Sequence, residues 1–441
     1  MEATIYKTDS EHAFRRETAV FRQDKHAETR LLKLYPQELR QEFIGIGGAF
    51  TEAAAYAVSR MSGEKQEQIL EQYFGETGNR YSLCRTHIQS CDFSLGNYAY
   101  IDDPQDRELK SFRLDRDKKY LIPLIQAALR KNSGIRLLAT PWSPPAFMKT
   151  NGDMNRGGSL LASYRGMWAD MIARYVLEYR RLGIPITRLT VQNEPNAKQT
   201  WDSCLFDADG ERDFVCGFLR RALDQNGLSD VKINIWDHNK ERIFERAVQT
   251  LSTEQARKDV DGIAFHWYSG DHFEALGLTR EHFPDKELIM TEGCVEYSLS
   301  PDQDQTRGAE RYAHDMIGDF NAGANGYIDW NLVLDRRGGP NHKENFCDAP
   351  VMCDPETDTV ETKLSFSYIG HFSRFLRPGA RKAAVSRWSD CVESVGFVNP
   401  DGKRVLIVLN RSGEPHAFRI CEGENICPVE MERHSILTAC W

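Results

Sequence analysis

Long hydrophobic runs are what this 441-residue chain most clearly lacks. No stretch approaches the ~18 consecutive apolar residues that a bilayer-spanning helix requires, so no integral membrane segment is expected. The start, Met1-Glu2-Ala3-Thr4, has neither a basic n-region nor an apolar h-region, so no secretory signal is legible. Positive charge is also scarce: 56 Lys and Arg stand against 65 Asp and Glu, a net charge of −9. Gripping a polyanion takes a basic face, so nucleic acid is excluded as a partner. Zinc-type spacings are missing too. The 11 cysteines are odd in number. Their closest pairs, Cys84/Cys91 and Cys421/Cys427, lack the C-x2-C form of a zinc ribbon. They read as reduced thiols of a cytoplasmic protein; the alternative is an export signal trimmed from the chain. No HExxH occurs among the 12 histidines. Gly45-Ile46-Gly47-Gly48-Ala49-Phe50 carries Phe50 where a dinucleotide loop needs its third glycine, and no acidic residue closes a second strand downstream. Neither a metal nor another cofactor is therefore expected. Those glycines are expected to let a first strand pack closely and turn.

What is present is globular: 41% hydrophobic, 10% aromatic and 27% charged residues. The length suits two or three domains, or one large barrel with an appendage. Short apolar runs of strand length recur at 43–47, 81–85, 135–140, 187–191, 232–236, 262–266, 287–290 and 326–329. Helical stretches separate them. Over 163–181, Met167, Met171, Ile172, Tyr175, Val176 and Tyr179 share one face and Gly183 stops the helix. Residues 66–73 and 121–130 behave alike. Eight such strand–helix units predict an α/β fold, a closed (β/α)8 TIM barrel over residues 41–377. The ends differ. Strand-like pieces at 4–7 and 30–35 precede the barrel, and further pieces at 393–398, 403–410, 417–421, 429–432 and 435–439 follow Pro378-Gly379. Asp401-Gly402 and Ser412-Gly413 mark hairpin turns. The expectation is a small β-sandwich of residues 378–441, to which residues 1–40 add their strands.

Catalytic groups of a TIM barrel sit where its strands end. Reading only those positions gives Gln192-Asn193-Glu194-Pro195 after the fourth strand and Thr291-Glu292-Gly293-Cys294 after the seventh. Pro141-Trp142-Ser143-Pro144-Pro145 follows the third, His266-Trp267-Tyr268 closes the sixth and Trp330-Asn331 the eighth. Two carboxylates amid aromatic rings suit cleavage of a glycosidic bond. One carboxyl protonates the departing oxygen, while the other attacks the anomeric carbon or activates water. Aromatic faces stack on sugar rings and exclude water. Trp142 and Trp330 could equally be core residues. His266, His272 and His342 fall near this face as hydrogen-bonding rather than zinc-binding groups, and Cys294 is expected to be a small packing residue.

The joint set of segments resembles glycoside hydrolase family 30. It comprises Cys84-Arg85-Thr86-His87-Ile88-Gln89-Ser90-Cys91-Asp92-Phe93-Ser94, residues 140–152 (TPWSPPAFMKTNG), residues 191–195, His266-Trp267-Tyr268, Thr291-Glu292-Gly293, and Asp329-Trp330-Asn331-Leu332 with Gly338-Gly339-Pro340-Asn341. The likeness runs from about residue 45 to about 378 and is strongest to the glucosylceramidase type. It implies a retaining β-glycosidase with Glu194 as acid/base and Glu292 as nucleophile. It further implies that Asn193 bonds the sugar 2-OH, that Asp92 and Trp142 hold the 4- and 6-hydroxyls, that Trp330 walls the pocket and that Asn345 lies near its mouth. Arg85 and Tyr268 match neighbours of the nucleophile, and with His266 they complete the expected substrate-binding set. An Arg and a Tyr hydroxyl beside Glu292 should favour its ionised form. Burial and the Glu292 charge should raise Glu194 so that it keeps its proton. The expected substrate is a small-molecule, oligosaccharide or glycolipid β-glucoside, glucosylceramide-like or otherwise. An exo-acting β-1,6-glucanase, a β-xylosidase and a non-catalytic carbohydrate-binding barrel remain as alternatives. Loops 270–278 and 298–307 are where substrate differences should lie.

Overall fold

In the computed structural model, which describes residues 1–25 and 29–441, eight strands pair in parallel and close on themselves. They are β1 (Gly45–Phe50), β2 (Leu83–Ile88), β3 (Arg136–Pro141), β4 (Ile186–Thr190), β5 (Lys232–Asn239), β6 (Gly262–His266), β7 (Glu287–Glu292) and β8 (Gly326–Asn331). Pairing of β8 with β1, Gly326 opposite Gly45, seals the barrel. This is the expected TIM barrel. β1, β2, β6 and β8 are buried along their whole length, the condition of a parallel sheet covered on both faces. The glycines of β1 act as expected: a Cβ on Gly47 would lie 1.9 Å from the Leu83 carbonyl oxygen, so only glycine lets β2 approach that closely.

Helices cover the outside for local reasons. Thr51 caps Glu52–Ser59 by accepting a hydrogen bond from the Ala54 amide, a contact worth about 1 kcal/mol. Helix Arg165–Arg181 buries all six residues of the expected face, and Gly183 follows it at φ +78°.

The strand starts differ from the sequence expectation. The apolar run at 43–47 begins two residues before β1, because Phe43 sits below the barrel against Phe320 and Phe397 (ring centroids 5.8 and 6.0 Å) rather than in the sheet. β5 runs three residues beyond the expected 236.

Ten strands form a second sheet that folds into a β-sandwich beside the barrel. Their order is Arg15–Val20, Glu2–Thr8, Ser435–Cys440, Arg404–Asn410, Val392–Val398, Arg381–Arg387, Leu31–Glu42, His416–Glu422, Asn425–Met431 and Arg22–Gln23. Ala3, Ile5, Leu32, Leu406, Val408, Phe418, Ile420 and Leu437 fill its interior. Both chain ends meet here, with Tyr6 opposite Thr438. A three-stranded sheet, Val333–Asp335, Val351–Asp354 and Thr359–Thr362, follows β8. It carries the loop with Asn341, Asn345 and Cys347 over the barrel mouth.

Candidate active site

The centre is built on one guanidinium. Arg85, on β2, is fully buried, and all five of its N–H groups have acceptors. Nη1 donates to Glu292 Oε2 (2.7 Å) and the Thr291 carbonyl (3.1 Å). Nη2 donates to Asn193 Oδ1 (2.9 Å) and Asp237 Oδ2 (2.8 Å), and Nε to Thr140 Oγ1 (3.2 Å). One side chain thus ties the ends of β2, β3, β4, β5 and β7. Trp142 and Trp330 stack with centroids 5.3 Å apart and cover it, its guanidinium lying 4.7 Å from the Trp142 ring. Shielded charge of this kind interacts strongly with its partners.

Glu194 and Glu292 face one another. With His266, each offers an atom within 4.8 Å of the others. Glu194 stands at φ +45°, a left-handed conformation unfavourable for a residue with a Cβ. Its amide donates to the Asp237 carbonyl (3.0 Å) and its carbonyl accepts from the Ala197 amide (2.8 Å), which hold it there. Glu292 accepts from the Tyr268 hydroxyl at 3.0 Å. Gly293 follows because a Cβ there would come within 2.7 Å of Trp267. The three-residue group has the spacing of a metal site, but a cation there would face the Arg85 guanidinium beside Glu292 and the His266 ring beside Glu194.

His266 lies between two acids: Nδ1 is 3.4 Å from Glu194 Oε1 and Nε2 3.0 Å from Asp237 Oδ1. Burial alone would push the imidazole down. The Glu292 charge and the bonds to Asp237 and Glu194 raise it to about 9. Asp237 is held well below the usual range: burial opposes ionisation, but the Arg85 charge and the bond to His266 outweigh it. Glu194 departs from the sequence expectation. Burial raises it, yet the His266 hydrogen bond, the charges of His238 and His266, and the Gln199 amide bring it down to about 2. Glu292 moves up, with burial the largest cause and the Glu194 and Asp237 charges adding to it. These directions favour a charged His266 beside an ionised Glu194, with 3.4 Å between Nδ1 and Oε1.

A cavity of about 290 Å³ opens on this pair, lined by Asp92, Trp142, Asn193, Glu194, Tyr268, Glu292, Trp330 and Asn345 among others. Eight of the ten expected site residues thus face one space. Arg85 and His266 do not line it, and their nitrogens are occupied by protein acceptors. Both were in the expected substrate-binding set; the structure places them behind the lining, Arg85 as the expected neighbour of Glu292 and His266 beside Glu194. His272 and His342 lie outside as well, bonded to the carbonyls of Ser269 and Ser94. Asp92 is pushed up by burial and by the charges of Glu292, Asp202 and Glu194, and the Asn341 amide reaches its carboxylate only at 3.4 Å. Most of its acceptor capacity points into the cavity. Cys294 packs in the wall, 3.5 Å from the Tyr268 hydroxyl.

Sequence reasoning missed Asp237, Gln199, Trp201 and Glu296. Asp237 directly follows the apolar run at 232–236, so the rule that found Glu194 and Glu292 after their runs would have found it too. Gln199 and Trp201 lie in a loop with no periodic signal. Glu296 follows Glu292 by four residues.

Buried paired carboxylates ending the strands of a TIM barrel, with tryptophans around one sugar-sized cavity, define the class of glycoside hydrolases. Residues 43–376 match the family model described as Glycosyl hydrolase family 30 TIM-barrel domain, and residues 379–439 that of the Glycosyl hydrolase family 30 beta sandwich domain. The chain belongs to glycosyl hydrolase family 30. It is 36% identical over 411 residues to lysosomal acid glucosylceramidase of Mus musculus, covering 89% of this chain and 80% of that one. The crystal structure of SrfJ from Salmonella typhimurium superposes with a TM-score of 0.98 at 42% identity, over 100% of this chain and 99% of that one. The endo-beta1,6-glucanase BT3312 does so with a TM-score of 0.90 at 26% identity, again over 100% and 99%.

Proposed function

We propose that this chain hydrolyses β-glucosides with retention of configuration, Glu292 acting as nucleophile and Glu194 as acid/base. The observation that carries this reading is the approach of a Glu194 oxygen to within 4.8 Å of a Glu292 oxygen. Retaining enzymes keep their carboxyls roughly 5–5.5 Å apart, whereas inverting ones leave room for a water at roughly 6.5–9.5 Å. Arg85 and the Tyr268 hydroxyl hold Glu292 oriented for attack on the anomeric carbon; burial pushes its carboxyl up, against the sequence expectation, and the charges of His266 and Arg85 offset part of that rise. Glu194, ionised at rest, takes the His266 proton across their hydrogen bond and passes it to the leaving oxygen, which leaves the imidazole neutral and the carboxylate ionised. Once Glu292 is esterified its charge is gone, so His266 loses its largest stabilising partner and stays neutral, and the Glu194 carboxylate accepts the proton of the attacking water. Asn193, held by Arg85 through its Oδ1, keeps its amide N–H groups for the sugar 2-OH. Asp92 accepts from hydroxyls at the far end of the ring.

The glucosylceramidase relative supports a glycolipid glucoside as substrate, and the BT3312 likeness a β-1,6-linked glucan. The test is hydrolysis of an aryl β-glucoside followed by proton NMR. The first-formed sugar should be the β-anomer. An α-anomer, or faster cleavage of the matching β-xyloside, overturns the assignment.

A further inference from the structure

We infer that the mouth of the cavity is an aglycone site built for a second sugar, with Glu296 selecting for its hydroxyls. The inference rests on the reading above, because it presumes that the glucose ring occupies the buried end.

Exposure grades the lining. Asp92, Trp142 and Trp330 are at most 5% exposed, whereas Gln199, Trp201, His238, Asn239, Tyr268, Glu296 and Asn345 are half-buried, so these seven border solvent. Five of the seven are polar, and Trp201 and Tyr268 are the aromatic pair. Of the exposed large apolar side chains among the described residues, only Leu95 and Leu299 lie within three residues of the lining in sequence. Two leucines are little apolar surface for a ceramide, whose two hydrocarbon chains bind by being buried. A sugar ring needs the opposite: one aromatic platform and several hydrogen-bonding groups beside it. Trp201 supplies the platform.

Both walls are rigid. On one side, buried Lys149 forms no ion pair among the described residues; its ammonium donates to the Met154 and Ser203 carbonyls at 2.9 and 2.6 Å. Ser203 Oγ in turn accepts from the Gln199 amide and donates to the Trp201 carbonyl, and the Arg156 amide donates to the carbonyls of both Gln199 and Trp201. The loop with the platform is therefore fixed before any ligand arrives. On the other side, Glu296 is bridged to Cys347 in antiparallel pairing, and its carbonyl accepts from the Leu299 and Ser300 amides. Its carboxylate lines the cavity with no ion-pair partner among the described residues. The Ser298 hydroxyl is its side-chain hydrogen-bond donor, which leaves acceptor sites for ligand hydroxyls. Gln199 donates to Glu194 Oε2 through one amide hydrogen at 3.1 Å, so its amide stands between the acid/base and the platform.

The experiment separates this inference from the reading beneath it. Glucose, cellobiose and gentiobiose are titrated calorimetrically into the Glu292→Gln variant, which holds ligand without turning it over. A disaccharide should bind about tenfold or more tighter than glucose, and that increment should vanish in Glu292→Gln/Glu296→Ala while part of it returns in Glu292→Gln/Glu296→Gln. In the active chain, the ratio of kcat/KM for disaccharide over aryl β-glucoside should fall about tenfold with Glu296→Ala, and disaccharide should outrun micellar glucosylceramide. Equal affinity for glucose and both disaccharides, or faster cleavage of glucosylceramide, overturns the aglycone inference. An aryl β-glucoside left intact by the wild-type chain overturns the reading of the site instead, while the binding increment still judges the mouth.

Discussion

Two histidines are buried to the same 0% exposure in two regions of this molecule, and they carry opposite charge states. His266, at the barrel mouth, lies between Asp237 and Glu194 and is raised to about 9. His371 lies where barrel helix Leu364–Ser373 meets the sandwich. Its Nδ1 is 2.8 Å from Thr438 Oγ1 and its Nε2 2.7 Å from Thr8 Oγ1, and it is lowered to about 3. Thr438 gives its one proton to the His371 carbonyl, so it can only accept at Nδ1; Thr8 is then left to donate to Nε2. A neutral imidazole satisfies every atom of that joint, whereas a charged one would need the Thr8 oxygen as acceptor at Nε2 and would displace the Thr8 proton from its partner. Burial removes water in both places. The partners decide whether the ring is a proton store or a structural pin.

The sharpest way to break that contrast is to remove the charge that raises His266 most. Glu292→Gln should lower turnover of an aryl β-glucoside about 10,000-fold while the thermal transition persists, and NMR should find the His266 titration moved to lower pH. Turnover near that of the wild type would remove Glu292 from the chemistry. Next in size is Glu194→Ala: an alkyl glucoside should lose about 1,000-fold and an activated aryl glucoside much less, with added azide restoring rate as a glycosyl azide. Equal losses on both substrates count against proton donation by Glu194. His266→Gln should cost about 10- to 100-fold and shift the alkaline limb of the kcat/KM profile to lower pH, because the proton store is gone and Glu194 must hold its own proton. A smaller rate with an unmoved limb would leave His266 a packing group only.

The smallest effect tests the other region. His371 has its folded pKa depressed below 6.5, so the unfolded chain binds the extra proton, and stability present above 6.5 is lost as pH falls towards about 3. Between pH 7 and pH 4.5 this one group should remove about 2–3 kcal/mol, read as a drop in Tm. His371→Gln should be less stable at pH 7 by about 1 kcal/mol and show a flatter Tm between those pH values. An unchanged slope in the variant would show that the acid sensitivity lies elsewhere.

The barrel was legible because its strands are buried on both faces: continuous apolar runs of strand length alternate with helical periodicity, and all eight runs found their strands. Their ends were less legible. Phe43 and Lys232–Asn239 show why: a residue packed under the barrel is as apolar as one in the sheet, and a strand can run past its apolar residues into polar ones, as this one does through Asp237. Arg381–Arg387 was not anticipated, since its edges are basic and only Ala383 is fully buried. Glu194 and Glu292 were found from their position after a strand, a local property. Arg85 was expected beside Glu292, but that it and His266 face protein rather than the cavity was not legible, because whether a polar group meets substrate or protein depends on which atoms surround it in space.

The sequence by itself determined the alternation of strands and helices, the pair of acids and the tryptophans around them, since backbone period and side-chain type are encoded residue by residue. Only the tertiary structure decided where the proton rests, which of ten polar and aromatic groups face the cavity, and that the Glu296 carboxylate lines its mouth. Those outcomes depend on distances between strand ends remote in the chain, and the energy of a buried charge changes steeply with each of them.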